Sequence, residues 1–229
     1  MTLALSPAQL ASYDQDGFLV LPDFVSPEAC DNLRRRAEIL VAQFEPKGVV
    51  SIFSTHEQTR TSDDYFLEPG GRIRFFFEQD AFDECGRLRQ SKELSINKIG
   101  HALHDLDPVF DRFSRTADLA DLVSSVGFEQ PLLLQSMYVF KQPNIGGEVS
   151  LHQDSTFYIP SRVRFLASGS LSRMQVRTTV AYGLFAAATG SGSNRDSCGR
   201  LTAGQDLKSS IVVLGLKKKS FRSRRRRAR

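Results

Sequence analysis

From Ser6 onward, apolar positions recur with periods that predict an order of elements. Ser6-Pro7 is a helix-start pair, with a capping serine and proline in the first turn, and Leu10 with Tyr13 supplies a short apolar stripe. DGFLVLPDF follows, a run of β-formers that begins after Gly17 and is broken by Pro22, which predicts a strand. Ser26-Pro27-Glu28 repeats the start signal, and Cys30, Leu33, Ala37, Leu40 and Val41 lay out the buried stripe of a second helix. RIRFFFE, Arg72 to Glu78, predicts a strand. NKIGHALHDLDPVF and ADLADLVSSVG predict helices, the second closed by Gly127 just past its end. PLLLQSMYVFKQP, Pro131 to Pro143, is the strongest strand signal and is bounded by prolines. Helices first and strands later predict an α+β architecture with a β-sandwich or barrel at its centre.

After about Pro160 this grammar stops. Residues 161–229 hold four aromatics, eleven serines and seven glycines, with no sustained period of either kind. The string IVVLGL is one isolated apolar run, and KKKSFRSRRRRAR puts nine positive charges into the last thirteen residues. Composition therefore predicts a domain over 1–158 and a disordered basic tail over 159–229.

Charge sharpens that boundary. The formal net charge of +4 averages two unlike parts. Residues 1–154 carry 14 Lys+Arg against 24 Asp+Glu, whereas 155–229 carry 16 against two. Clustered positive charge at the end gives non-specific electrostatic affinity for nucleic acid through the tail. The remaining composition is that of a folded core, at 41% hydrophobic with 17 Phe and 5 Tyr in 229 residues. No stretch is apolar and long enough to cross a bilayer, so no membrane partner is expected. Cys30, Cys85 and Cys198 are few and widely spaced, which suits reduced thiols and a cytoplasmic location.

The candidate chemistry lies in GGEVSLHQDSTF, Gly146 to Phe157. Residues i and i+2 of a strand project from one face, so His152 and Asp154 would deliver an imidazole nitrogen and a carboxylate oxygen to one point. With a second histidine, such a pair makes the facial triad of non-haem Fe(II) oxygenases. Alone, the pattern is weak, since most such pairs are surface residues. His101 and His104, three apart on the predicted helix, read as helix-surface or core-edge histidines, and His56 as a solvated one.

Taken together, QSMYVFKQP, GGEVSLHQDSTF, DYFL, IRFFFE and SINKIGHALHDLDPVF resemble the phytanoyl-CoA dioxygenase family, from about Ser6 to Phe157. The resemblance implies a double-stranded β-helix (jelly roll), here partial and truncated. It also implies Fe(II) as cofactor and 2-oxoglutarate as co-substrate, with O2 and a small-molecule or acyl-CoA-like substrate. His152 and Asp154 become metal ligands, and Met137, His152, Gln153 and Asp154 the co-substrate-binding residues. The family has a lysine just before S-I-N-K that reaches 2-oxoglutarate; Leu94 stands there in this chain, with Lys92 two residues earlier.

The family's second iron-binding histidine lies far downstream, followed by an arginine that grips 2-oxoglutarate. No histidine follows Asp154, and the tail's arginines sit in no matching motif. Back-translating Leu166 to Leu184 with one permitted set of codons and reading on after dropping two nucleotides gives CIWIALEDASADNGCLWF. That string closely resembles the family's continuation, so the tail reads as a frame-shifted product. The expectation is thus a dioxygenase-family chain with an incomplete iron site and no turnover of its own. The alternative is a non-catalytic binding protein whose basic tail contacts nucleic acid or acts as a nuclear-localisation-like patch.

Overall fold

Helix α1, Pro7–Asp16, starts at a reciprocal capping box: Gln9 N donates to Ser6 Oγ (3.3 Å) and Ser6 N donates to Gln9 Oε1 (2.9 Å). It ends at Gly17, whose left-handed φ of 80° lets its N–H return to Tyr13 O before β1, Phe18–Leu21. Helix α2, Pro27–Gln43, is capped by Ser26 and buries Cys30, Leu33, Ala37 and Val41 of the predicted stripe, with Leu40 half-buried at its edge. These elements belong to a computed structural model that describes residues 5–46, 52, 71–140, 142, 145–146, 163–175, 178–189 and 211–215.

Strand β2, Ile73–Phe77, falls inside the predicted RIRFFFE. The next segment corrects the sequence reading. NKIGHALHDLDPVF was expected to be one helix, but β3 occupies Ile96–His101, followed by the short helices α3, Leu103–Leu106, and α4, Pro108–Ser114. Every residue of β3 is buried because β2 and β4 flank it and both its faces are covered. Ile96, Ile99 and Leu103 therefore mimic a helical stripe although the first two lie on a strand. Helix α5, Ala117–Ser125, and β4, Leu132–Val139, match their predicted segments, and Gly127 takes the expected left-handed turn at φ 86°.

The tail reading also meets a difference. Composition predicts no regular element after Pro160, yet the backbone pairs as β5, Val163–Gln175, β6, Thr178–Thr189, and β7, Ile211–Gly215. A ladder joins backbone N–H and C=O groups, so Ser, Gly and Ala do not prevent pairing once an edge is offered. Strand β6 takes that edge on β4 (Met137↔Gly183, Tyr138↔Tyr182), and β7 pairs both with β5 and with β1 (Phe18↔Leu214). The result is one seven-stranded sheet in the order β1-β7-β5-β6-β4-β3-β2, with every neighbouring pair of these strands antiparallel.

Helices cover one face of β2–β3–β4. Phe75, Phe77, Ile99 and Tyr138 point into that core, where Phe75 stacks on Phe44 (4.2 Å between ring centroids) and Tyr138 meets Phe110 edge-on (5.8 Å). Asp107 fixes the helical layer from its centre: it caps α4 through Val109 N (3.0 Å) and receives Arg36 Nε of α2 at 2.6 Å. The free thiols are Cys30 and Cys85 among the described residues, and none of the described helices is long and apolar enough to cross a membrane.

Candidate functional site

The period of two that sends Phe75 and Phe77 into the helical core sends Arg74 and Phe76 to the opposite face of the sheet. Cross-strand register then builds two rows on that inner face. One runs Phe76–Lys98–Val139 and the next Arg74–Gly100–Met137, continuing from Met137 to Gly183 of β6. The Lys98 ammonium lies 5.1 Å from the centre of the Phe76 ring, a cation–π arrangement. Gly100 allows close approach here: a Cβ on it would meet Met137 Cγ at 3.4 Å.

His101 ends β3 and joins this group. Its ring lies edge-on to Phe76 at 5.3 Å, and Gln135 Nε2 of β4 donates to its Nδ1. With Nδ1 accepting, the neutral ring carries its proton on Nε2. Arg74, Lys98 and His101 are 3%, 4% and 5% exposed, so three nitrogen bases share a nearly dry face. Burial pushes the Lys98 ammonium down to about 7. Burial first, then the charges of Lys98 and Arg74, push His101 down to about 4.

For the histidines the structure removes the helix-surface alternative and leaves the core one. Neither His101 nor His104 is a surface residue, and they do not share a helix. His104 is bound on the helical side, where its N donates to Ser136 Oγ at 3.1 Å and its Nδ1 lies 2.8 Å from the same oxygen. Burial lowers its pKa, against a smaller upward pull from Asp105. Met137, named from the family resemblance for the co-substrate pocket, lies on the inner face opposite Gly100. His152, Gln153, Asp154 and His56 lie outside the described residues, and the described residues contain no group of three or more metal-ligating side chains.

Lys92 serves elsewhere. Its Nζ donates to Ala42 O (3.1 Å) and Phe44 O (2.7 Å), tying the turn Lys92–Leu94 to the end of α2, while Leu94 is exposed. The ammonium on the inner face belongs to Lys98 instead. Sequence reasoning missed Lys98 because it lay in a presumed helix. It also missed Arg74, whose signal was the polar–apolar alternation of R-I-R-F, Arg72 to Phe75, at the start of a strand.

Comparison with known proteins decides the lineage. The family profile described as "Phytanoyl-CoA dioxygenase (PhyH)" matches residues 13–174. The chain belongs to the phytanoyl-CoA dioxygenase family. It is 48% identical over 157 residues to "Phytanoyl-CoA dioxygenase" of Arabidopsis thaliana, covering 69% of this chain and 55% of that protein. It is likewise 48% identical over 158 residues to "Phytanoyl-CoA dioxygenase domain-containing protein 1" of Mus musculus, covering 67% of this chain and 54% of that protein. The chain thus spans about half the length of these relatives.

Among solved structures, EctD from S. alaskensis with 2-oxoglutarate and 5-hydroxyectoine superposes with a TM-score of 0.54 at 18% identity, covering 95% of this chain and 70% of that one. EctD with bound Fe gives 0.51 at 17% identity, covering 94% and 79%. At that identity the likeness speaks for the fold, the expected jelly-roll architecture of helices packed on an antiparallel sheet.

Proposed function

We propose that this chain carries the co-substrate-binding part of an Fe(II)- and 2-oxoglutarate-dependent dioxygenase acting on a small-molecule or acyl-CoA-like substrate. One observation carries the reading most: a family domain buries the Lys98 ammonium on the sheet face that also bears Met137, diagonally across β3 and β4. A carboxylate of 2-oxoglutarate is the kind of partner that a desolvated ammonium favours, and pairing would restore its charge. EctD, of the same fold, has been solved with 2-oxoglutarate and with Fe.

The residues present fit the co-substrate through Lys98 and Met137, which Gly100 lets pack closely across β3 and β4. For the metal, the donor types of His152 and Asp154 suit Fe(II). Fe(II), when bound, supplies the O2 activation that couples 2-oxoglutarate decarboxylation to substrate oxidation. The chain's own residues orient and desolvate: Lys98 holds a carboxylate, Gln135 fixes the His101 tautomer, and Phe76 keeps water from the ammonium.

In this reading the 229 residues alone do not turn over, because no histidine follows Asp154 to complete the triad. The family match reaches residue 174, a little past the boundary near 158 that composition suggested, and in this reading the sequence beyond replaces the family's continuation. Free Cys30 and Cys85 suit a reducing compartment such as the cytoplasm. Calorimetric titration with Mn(II) under argon tests the metal assignment. Weak binding lost in His152→Ala is expected, whereas binding unchanged by that substitution would remove His152 from the site. Succinate production from 2-oxoglutarate tests the rest; turnover by the chain as it stands would contradict the incomplete site.

A further inference from the structure

Behind the inner face, on the helical side of the sheet, a buried hydroxyl stands between two histidines. Ser136 of β4 is 0% exposed and His104 of α3 2%. The Ser136 hydroxyl has one proton to give and two lone pairs to receive. One lone pair takes the His104 backbone N–H at 3.1 Å. Two further neighbours remain, His104 Nδ1 at 2.8 Å and the His101 carbonyl oxygen at 3.4 Å. The carbonyl can only accept, whereas Nδ1 accepts when bare and donates when protonated. Two arrangements therefore satisfy the hydroxyl. With Nδ1 bare, the hydroxyl donates to the ring. With Nδ1 protonated, the ring donates to Oγ and the hydroxyl turns toward His101 O.

The distances select the first arrangement for the neutral ring. A separation of 2.8 Å is an ordinary hydrogen bond, while 3.4 Å exceeds the roughly 2.5–3.0 Å that hydroxyl donors keep to oxygen. The far side of the ring agrees, because Asp105 Oδ2 lies 3.3 Å from Nε2 and favours a proton there. Arg115 of the α4 end holds this surround together: it donates to Asp105 Oδ1 at 2.6 Å and reaches Asp111 and the His104 carbonyl. Burial above all, helped by Arg115, keeps the ring neutral, while Asp105, the Leu133 carbonyl of β4 and Asp111 pull toward the charged form. A proton taken up in acid would thus enter at Nδ1 and turn the hydroxyl. His101, the residue it turns to, pairs with Ser136 across the ladder and carries its ring on the inner face.

We infer that His104 is a proton sensor on the helical side of the sheet, and that the Ser136 hydroxyl carries its protonation through the sheet to His101 on the inner face. The inference goes beyond the dioxygenase reading and stands or falls without it.

The full-length chain, labelled with 15N and 13C, is titrated from neutral pH into acid, following the His104 ring nitrogens and the His101 carbonyl carbon by NMR. At neutral pH the His104 ring should carry its proton on Nε2 with Nδ1 bare. On acidification the His101 carbonyl signal should show a component with the midpoint of the His104 ring, besides any from its own ring. Asp105→Asn, at a site whose side chain is 53% exposed, removes a charge that favours the protonated ring. It should carry the His104 midpoint and that carbonyl component to lower pH by equal amounts, without disturbing the fold. Ser136→Ala should leave His104 titrating and abolish the component, and Ser136→Thr, which keeps a hydroxyl, should restore it. A neutral ring protonated on Nδ1 would overturn the inference. So would a His101 carbonyl that stays still while His104 titrates, or midpoints that part company in Asp105→Asn. Survival of the component in Ser136→Ala, or unfolding of the wild type at the moment His104 takes its proton, would overturn it too.

Discussion

Replacing Lys98 by methionine keeps most of the side-chain volume and removes a charge from a face where water is scarce. In the folded chain burial lowers the Lys98 pKa from 10.5 to about 7. That fall corresponds to on the order of 4–5 kcal/mol of disfavoured charge. The contact with Phe76 at 5.1 Å returns part of it, about 1 kcal/mol. Lys98→Met is therefore expected to stabilise the chain by about 2–4 kcal/mol near pH 6. The sign of the pH dependence follows from proton counts. Between about 7 and 10.5 the unfolded chain holds a proton on Lys98 that the folded chain has released, so wild-type stability rises with pH there, by at most about 1.4 kcal/mol per pH unit. Below about 7 both states are protonated and the penalty is constant. Urea denaturation of both proteins from pH 6 to pH 10 makes other titrations cancel in the difference. The advantage of Lys98→Met should be largest at pH 6 and shrink toward pH 10. Parallel stability curves, or a variant destabilised throughout, would show that Lys98 is not a desolvated ammonium.

Further outcomes follow from the same geometry. Binding a carboxylate raises the Lys98 pKa, so 2-oxoglutarate affinity should be greatest below about pH 7 and fall as pH rises above it, with proton uptake visible as buffer-dependent calorimetric heat. His101, held down to about 4, contributes stability that is present above its ordinary value of 6.5 and lost as pH falls through about 4; His101→Gln should flatten acid unfolding over that window. Asp107→Ala removes the α4 cap and strands Arg36, and should cost about 2–4 kcal/mol in urea denaturation. Gly127→Ala forces a Cβ into φ 86° and should cost about 1 kcal/mol by the same assay.

How far the sequence could be read depended on whether an element faces water. Helices α1, α2 and α5 were legible because each has a solvent face that sets its stripe off, together with Ser6, Ser26 and Gly127 at their ends. Strand β3 was not, because burial on both sides erased its alternation and left Ile96, Ile99 and Leu103 at helical spacing. That one error hid Lys98 and put His101 on the wrong element. Strands β5 to β7 escaped for another reason: their pairing rests on backbone ladders at the edges of β4 and β1, a tertiary opportunity no local window contains. Of the co-substrate residues named from the family resemblance, Met137 lies on the inner face, and His152, Gln153 and Asp154 lie outside the described residues.

The central claim, that the inner face of β2–β4 is a 2-oxoglutarate site anchored by Lys98, is tested most directly by calorimetric titration of 2-oxoglutarate into the chain with Mn(II) under argon, for wild type and Lys98→Met. Saturable one-to-one binding that takes up a proton at pH 8, weakened by about tenfold or more in Lys98→Met, is the result the account requires. No binding by the wild type, or binding of equal strength and protonation in Lys98→Met, would contradict it.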